Sequence, residues 1–222
     1  MKPIYIIISA IAVAGLSSTV HAEEQDASYY IGITGGSLGI GPEIAYRVTP
    51  MFGVRGSATF LGVSHDVDVN DINYNGKLKL ASYGMNLDLY PFQGGLRLSA
   101  GFRIDKNKVE LNATPSNAVS IGNTVYSPSQ IGTLSGNVKA KDFAPTLTVG
   151  YAGGLRQGIK FGIDAGAMFQ GRPQISDLKA TGTLASNAAF QADIANEQQK
   201  IDDKINKYKV YPVLQISLGY AF

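Results

Sequence analysis

The sequence predicts an all-β protein: an eight-stranded antiparallel up-and-down transmembrane β-barrel with short periplasmic turns, long extracellular loops and one short loop helix. Three observations predict this fold class. The chain ends in a strand of strict alternation, it begins with an export pattern, and no segment after Ala22 has the roughly 20 consecutive apolar residues of a membrane-spanning helix. A chain that crosses a membrane without such helices must close into a barrel, because every backbone polar group there needs a hydrogen-bond partner.

The C-terminal strand has the clearest pattern. Apolar or aromatic residues occupy every second position, and the residues between them are small or polar; the apolar set is Leu214, Ile216, Leu218, Tyr220 and Phe222. Alternation with a period of two predicts a strand with one apolar and one polar face. In an exported protein, lipid is the expected surrounding of the apolar face.

The N-terminus predicts a cleaved signal peptide over residues 1–22. Lys2 supplies a positive charge, an apolar run follows, and Val20-His21-Ala22 forms a cleavage site before Glu23. The mature chain, 23–222, has the length of one domain, the barrel. The absence of cysteine excludes disulfides, thiolate catalysis and a lipid anchor on cysteine.

Composition agrees with a barrel. Glycine is abundant, with 26 residues, and suits short twisted strands with close inward packing. After signal removal the chain has 18 basic and 17 acidic residues, a net charge of +1. Basic residues are not concentrated in any one segment of the sequence, so we expect no nucleic-acid partner.

Alternation places seven strands along the chain, over 38–48, 51–63, 77–90, 96–111, 141–151, 158–171 and 209–222. An eighth strand is required because bacterial barrels have an even strand number and the C-terminus is expected in the periplasm, and residues 29–35 are its candidate. Within 77–90 the apolar positions change phase, which predicts a bulge near Ala81.

Connection lengths set the orientation. The tight turns at 49–50, 93–95 and 153–158 are expected in the periplasm, and the long segments 64–76, 112–140 and 172–208 outside the cell. The segment 112–140 has the composition of a loop and predicts a hairpin around Gly122-Asn123.

A helix is predicted over 187–206, after the N-cap Ser186-Asn187, because apolar residues recur there at helical spacing and no proline interrupts: Phe190, Ile194, Ile201 and Ile205. Its apolar stripe either covers the barrel mouth or contacts an extracellular partner or lipid head groups.

A soluble lipocalin-like barrel is the alternative fold, with its apolar face inside. Two features favour the membrane barrel. The polar face is rich in small residues and carries charges of both signs, and aromatic residues lie near strand ends as in an interfacial girdle: Tyr46, Phe52, Tyr90, Phe92, Tyr151, Tyr220 and Phe222.

Charged residues fall on the inward face of the predicted strands: Glu43, Arg47, Arg55, Asp88, Arg97, Arg103, Asp105, Lys160 and Asp164. An eight-stranded barrel is only wide enough for its side chains to fill it, so buried charges there must pair. The set is interpreted either as an ion-pair plug or as a charged path for a small solute. Arg97 and Arg103 are candidate partners for Asp164 and Glu43, and the sequence does not decide which pairs form.

Ser64-His65-Asp66 superficially resembles a catalytic set. Adjacent strand residues point to opposite sides, so a working Ser-His-Asp arrangement must come from separated positions. His65 is therefore interpreted as a solvated histidine, with lipid A chemistry as the alternative. Asp66, Asp68 and Asp71 are hard oxygen ligands for Ca²⁺ or Mg²⁺, but they lack the spacing of a dedicated loop and are interpreted as solvated.

The signal peptide and the terminal strand resemble those of the small Gram-negative outer-membrane β-barrel superfamily, which includes the protein A and protein W barrels and the opacity and adhesion proteins. The resemblance implies location in the outer membrane, contact with lipid and lipopolysaccharide, and recognition of the terminal strand by the barrel-assembly machinery. Nothing follows Phe222, so a peptidoglycan-binding domain is not expected, and no residues match the ligand gate of the protein W type.

Three functions follow as hypotheses. The first is a non-enzymatic integral outer-membrane protein with a structural or surface-interaction role and an extracellular partner for its loops. The second is a narrow, porin-like channel for small solutes. The third is a lipid A-modifying enzyme that uses His65. No catalytic, metal or cofactor site is assigned, and no cofactor is expected.

Overall fold

The computed structural model describes residues 27–69, 72–122 and 124–222. Their backbone is mainly β. The helices are α1 (Pro128–Ile131) and α2 (Ala188–Ile205), and the strands are β1 (Tyr29–Gly36), β2 (Gly39–Arg47), β3 (Phe52–Val69), β4 (Ile72–Leu89), β5 (Leu96–Asp105), β6 (Lys108–Pro115), β7 (Val119–Ile121), β8 (Thr124–Tyr126), β9 (Leu134–Lys139), β10 (Phe143–Tyr151), β11 (Gly158–Met168), β12 (Gln174–Ala180) and β13 (Tyr211–Ala221). The predicted signal peptide lies outside the described residues.

Strands β1, β2, β3, β4, β5, β10, β11 and β13 pair antiparallel in a closed ring. Closure occurs at β1, where Ile33 lies opposite Pro42 of β2 on one side and Leu218 of β13 on the other. The predicted antiparallel ring closure is confirmed, and β1 is the first strand of the ring. The sheet as a whole contains eleven strands, because three more join it at one end.

The side chains of the ring alternate between an exposed apolar face and a buried polar face. In β13, Ile216 and Leu218 are 59% and 49% exposed, whereas Gln215 and Ser217 are 6% and 5% exposed. The same alternation continues around the ring, so that large apolar side chains cover its outside. We call this exposed apolar surface the outer belt. The predicted phase of the terminal strand is therefore correct.

Strands β6, β9 and β12 continue the barrel wall beyond the ring. Ile104 of β5 lies opposite Phe143 of β10, and four residues further along both chain segments Lys108 of β6 lies opposite Lys139 of β9. Strands β6 and β9 therefore keep the register of β5 and β10. Together with the distal parts of β3 and β4 they form a five-stranded wall on one side of the mouth, which we call the extension. The turns β2–β3, β4–β5 and β10–β11 lie at the opposite end, which we call the turn end, whereas the short β1–β2 turn lies at the mouth.

The segments predicted as long loops are therefore largely regular structure. Residues 64–76 are mostly paired strand, 112–140 contains β7, β8, α1 and β9, and 172–208 contains β12 and α2. The prediction of loops was wrong because charged and amide residues occupy one face of these strands, which lowers the apolar signal without removing the alternation. The predicted hairpin is present as β7–β8, with Gly122 at φ 65° in its turn; Asn123 lies outside the described residues.

The predicted bulge near Ala81 is wrong for the β3–β4 ladder, which keeps one register from Phe52↔Leu89 to Val69↔Ile72. The interruption lies at the other edge of β4, which pairs first with β5 and then with β6. In the gap between these two strands, the Asn107 side chain accepts a hydrogen bond from the Ala81 N–H at 3.0 Å. The apolar phase changes because Leu80, on the inward face, is buried where the ring passes into the extension.

Helix α2 agrees with its predicted range and packs on the extension. Asn187 caps it by accepting a hydrogen bond from the Phe190 N–H at 3.1 Å. Phe190 is fully buried in an apolar cluster with Ile194, Tyr126, Ile121 and Ile131. In the described part of the chain, no helix is long and apolar enough to cross a membrane.

The contacts of α2 lie along strand β12. Asp202 accepts a hydrogen bond from the Ile175 N–H at 2.6 Å, and Gln198 donates to the Ile175 carbonyl at 3.1 Å. The helix therefore satisfies polar groups on an edge strand of the extension, which leaves less of that edge open to pairing with another chain.

Candidate functional site

The middle of the barrel holds five buried charged side chains, which we call the charged layer: Glu43, Arg55, Asp88, Arg97 and Asp164. They come from β2, β3, β4, β5 and β11, and each lies in the inward phase of its strand. All are between 1% and 6% exposed. Strand periodicity alone thus directs charges from five strands into one narrow space.

Arg55 contacts all three carboxylates of the charged layer. Its Nε and Nη2 donate to the two oxygens of Asp88 at 3.0 and 3.2 Å, a bidentate pair. Its Nη1 donates to Glu43 Oε2 at 3.1 Å and to Asp164 Oδ2 at 3.2 Å, and Nη2 also reaches Ser99 Oγ at 3.1 Å. The planar guanidinium thereby joins β3 to four other strands of the ring, β2, β4, β5 and β11.

Arg97 forms the second bidentate pair. Its Nε and Nη2 donate to Asp164 Oδ1 and Oδ2 at 3.0 and 2.5 Å, and its Nη1 lies 3.9 Å from Asp88 Oδ2. Asp164 therefore meets Arg97, one of the pairings that the sequence left open. Glu43 meets Arg55, a pairing that the sequence analysis did not single out.

Arg103 lies further toward the extension and is held by uncharged oxygens. It donates to Ser82 Oγ at 2.9 Å, Thr59 Oγ1 at 2.9 Å and Ser57 Oγ at 3.1 Å, and to the Ser82 carbonyl at 3.2 Å. Thr59 and Ser82 also bond to each other at 3.1 Å. These hydroxyls replace a carboxylate in solvating the buried guanidinium.

The other three predicted lumen residues lie toward the two ends of the barrel. At the turn end, the Arg47 guanidinium lies 3.6 Å from the centre of the Tyr90 ring and donates to the Pro50 carbonyl at 2.7 Å. Lys160 donates to the Gly153 carbonyl at 3.1 Å. At the other end, Asp105 accepts from the Asn107 N–H at 2.9 Å. These contacts fix turns rather than extend the charged layer.

The charged layer separates two small cavities. One, of about 50 Å³, lies at the turn end between Tyr30, Tyr90 and Arg97. The other, of about 30 Å³, lies on the extension side and is lined by Glu43, Arg55 and residues around Arg103. Each volume exceeds the roughly 10–15 Å³ that one water needs. The guanidinium groups occupy the space between them.

An apolar cluster fills the barrel mouth. Leu38, in the tight β1–β2 turn, is 3% exposed and packs with Ala144, Met168 and Val213, against which Tyr211 also lies. The turn is fixed from both sides: Tyr211 donates its hydroxyl to the Ser37 carbonyl at 2.6 Å, and the Leu38 N–H donates to Gln215 at 3.3 Å. We call this cluster the mouth cluster.

The partners that complete the site were not predicted from the sequence. Ser57, Thr59, Ser82 and Ser99 were treated only as part of a polar face rich in small residues, although their inward phase beside arginines was a usable signal. Leu38 had no signal, because its burial depends on how a two-residue turn folds over the mouth.

The remaining sequence candidates do not form a common site. His65 is exposed on β3 beyond the ring, opposite Gly76, and Ser64 points to the other face of the same strand. The side chains of Asp66 and Asp68 and the whole of Asp71 lie outside the described residues. Among the described residues, no group of three or more histidine, aspartate or glutamate side chains is arranged to hold a metal ion.

The structure is similar to two crystal structures from Acinetobacter baumannii. CarO2 matches with 20% sequence identity and a TM-score of 0.59, over 89% of this chain and all of that chain. CarO matches with 18% identity and a TM-score of 0.56, over 89% of this chain and 98% of that chain. No protein-family model and no curated protein matches the sequence. The similarity therefore identifies the fold, an antiparallel barrel whose sheet closes on itself.

Proposed function

We propose that the chain is an integral outer-membrane β-barrel protein that conducts no solutes and carries the extension at the cell surface. The observation that carries this proposal is the pairing of an apolar outer belt with a lumen filled by Arg55, Arg97 and their carboxylates. The role is structural or one of surface interaction, and no catalytic step is assigned.

The dimensions of the outer belt support a membrane position. In β13, apolar outward residues run from Pro212 to Phe222, a distance of about 33 Å along a strand at roughly 3.3 Å per residue. With the usual tilt of about 40°, this covers roughly 25 Å along the membrane normal, the height of the apolar band of outer-membrane barrels. A water-exposed surface of this size and apolar character would associate.

The orientation follows from the two ends. Short turns lie at the end that carries Phe222, and the extension lies at the other, which agrees with a periplasmic turn end and an extracellular extension. Leu214, Ile216, Leu218, Tyr220 and Phe222 remain on one outward face of β13, where the barrel-assembly machinery would read them before ring closure. Lipid and lipopolysaccharide are the partners of this surface after insertion.

Three obstacles in series support a closed lumen. A solute entering from the extension would meet the mouth cluster, then Arg103 with its hydroxyl partners, and then the charged layer. Opening a path requires separating Arg55 or Arg97 from carboxylates in a space with little water, which is costly for buried ion pairs. A ring of eight strands is also narrow, and its interior is only wide enough for its own side chains.

Single-channel recording of the refolded protein in a planar bilayer tests the proposal. The sample is first checked for heat-modifiable migration on a gel, which reports the folded barrel independently of conductance. We expect a folded and electrically silent barrel. Reproducible openings from a heat-modifiable sample would refute the closed lumen.

A narrow passage is the second candidate, and the two lumen cavities favour it. They lie on either side of the charged layer, so that displacement of Arg55 and Arg97 would join them into one path. Small, reproducible openings of the wild type whose conductance increases in Arg55→Ala would identify the charged layer as a gate and support this alternative.

A further inference from the structure

Lysines lie in register across three neighbouring strands of the wall just beyond the outer belt. Lys79 of β4 is opposite Lys108 of β6, which is opposite Lys139 of β9. Directly opposite residues in antiparallel strands point to the same face, and like charges in such positions repel. Three lysines in one row therefore need a compensating anion.

This row belongs to a larger set, the lysine collar, which lies on the outward face of the wall: Lys77, Lys79, Lys106, Lys108, Lys139 and Lys141. These lysines have the outward phase because the strand register is continuous: β4 keeps one register along its length, and β6 and β9 continue the registers of β5 and β10. The last apolar row of the outer belt is Tyr83, Ile104 and Phe143. At two residues per row, the lysines begin about 7 Å beyond that row, along the same strands.

The carboxylates of the described residues only partly balance the collar. Glu110 lies 2.7 Å from Lys79 and 2.8 Å from Lys108, and Asp142 contacts Lys106. Six lysines against two carboxylates leave a charge of +4. Among the described side chains, no carboxylate lies within ion-pair distance of Lys77, Lys139 or Lys141.

We infer that the lysine collar binds phosphate groups of the lipid head groups in the outer leaflet, with lipid A as the chemical class. This inference rests on the proposed membrane position and assigns the lipid-facing surface of that same barrel a specific ligand. Lysine stems extend over apolar surface while the ammonium reaches the head-group region, and a row of ammonium groups at this height suits a surface that carries phosphates. The continuity of the collar with the outer belt favours lipid-borne phosphate over free phosphate.

Lipid retention by the full mature chain in nanodiscs tests the inference. One set of discs contains bisphosphorylated lipid A in phosphatidylcholine, and the other contains the same lipid A after removal of its phosphates. Native mass spectrometry counts the lipid A molecules that remain on the barrel after release. We expect the wild type to retain the phosphorylated form and to lose the dephosphorylated form.

The informative variant is K79Q/K108Q/K139Q, which removes the central row. Each lysine near an anionic membrane surface contributes about 1 kcal/mol, or roughly fivefold in affinity, so three should weaken retention by about tenfold or more even with Glu110 nearby. The matched control is K200Q/K204Q/K207Q, which removes three exposed lysines from the region of α2 and should leave retention unchanged. The first variant replaces one exposed and two half-buried lysines at the barrel surface and the second replaces three exposed lysines, so both should migrate as folded barrels.

Three outcomes would overturn the inference: equal retention of both lipid A forms, unchanged retention in K79Q/K108Q/K139Q, or an equal loss in the α2 control. Titration with inorganic phosphate in detergent separates the two sources of phosphate. Binding of inorganic phosphate as tightly as lipid A would assign the collar to a free anion and refute the lipid assignment. A chain that fails to insert into nanodiscs contradicts the proposed function instead, so the two failures are distinguishable.

Discussion

Replacing Arg55 by methionine would leave Glu43, Asp88 and Asp164 buried with Arg97 as the remaining cation of the charged layer. The substitution removes four charge-assisted hydrogen bonds of 3.0–3.2 Å to the three carboxylates and one to Ser99. Breaking a buried ion pair on one side costs about 3–5 kcal/mol, because the abandoned charge stays desolvated. This is a large fraction of the roughly 5–15 kcal/mol by which folded proteins are typically stable.

The assay is equilibrium urea unfolding of the protein refolded in lipid vesicles. Because the chain contains no tryptophan, tyrosine fluorescence and the heat-modifiable gel shift report the transition. We expect Arg55→Met to reduce the unfolding free energy by about 3–5 kcal/mol. A loss below about 1 kcal/mol, the range of exposed pairs, would show that the layer is hydrated and would refute its description as a buried plug.

Two further variants separate the charge effect from the loss of a large side chain. In Arg55→Met combined with Glu43→Gln, one abandoned charge is gone, so the double variant should be more stable than the sum of the single effects, by about 0.5–3 kcal/mol. Arg103→Met is the matched control. Its partners are hydroxyls that can bond to one another, and the loss should not exceed about 2 kcal/mol.

Three other predictions concern the belt, the extension and its surface charge. Leu218→Arg should destabilise the barrel by about 2–4 kcal/mol if that position is near the bilayer midplane, whereas Ser217→Ala on the lumen face should change little in the same urea assay; equal effects would contradict the face assignment. Phe190→Ala should cost the extension about 3–5 kcal/mol and increase its protease cleavage while the gel shift persists, and loss of the gel shift would mean that barrel and extension fold as one unit. Hydrogen bonds from Lys108 and Lys79 lower the pKa of Glu110 to about 2. The ionised Glu110 therefore stabilises the folded chain above the ordinary glutamate pKa, and this contribution is lost as pH falls through about 2. Glu110→Gln should flatten the acid dependence of amide exchange in β6.

The ring was predictable because one physical signal determines it. A strand with an apolar outer face and a packed polar lumen must alternate, so the faces of Leu218 and Ser217 can be assigned without knowledge of any partner strand. The inward arginines were visible for the same reason. Their pairing was not. Glu43 and Asp88 lie on the two strands beside β3, so their contact with Arg55 depends on strand register, whereas Asp164 of β11 lies across the lumen and meets Arg55 only because of how the ring closes.

The extension was harder to predict because both of its faces differ from those of the ring. Its outward residues are charged or polar, and its inward face is only partly covered: Leu134 packs against the apolar cluster of α2, whereas Val63 and Leu111 are exposed. A sequence scan for alternating apolar residues therefore stops at the end of the outer belt. Helix α2 was predicted within one residue at each end, because the N-cap Asn187 and the spacing of Phe190 and Ile194 are local signals.

The phase change in β4 gains a physical meaning from these two regions. On the ring side of this point, the outward residues Tyr83 and Met85 are apolar and the inward Ser82 is polar. On the extension side, the outward Lys79 is charged and the inward Leu80 is a buried apolar residue. The pairing of β4 with β3 keeps a single register through this point. The strand is therefore continuous, and only the polarity of the residues on its two faces changes. On the proposed membrane position, the outward side passes from hydrocarbon to head groups at the level where the inward side passes from a polar lumen to an apolar core. A phase slip in an otherwise regular barrel strand then marks the membrane boundary, and in this chain it lies at the base of the lysine collar.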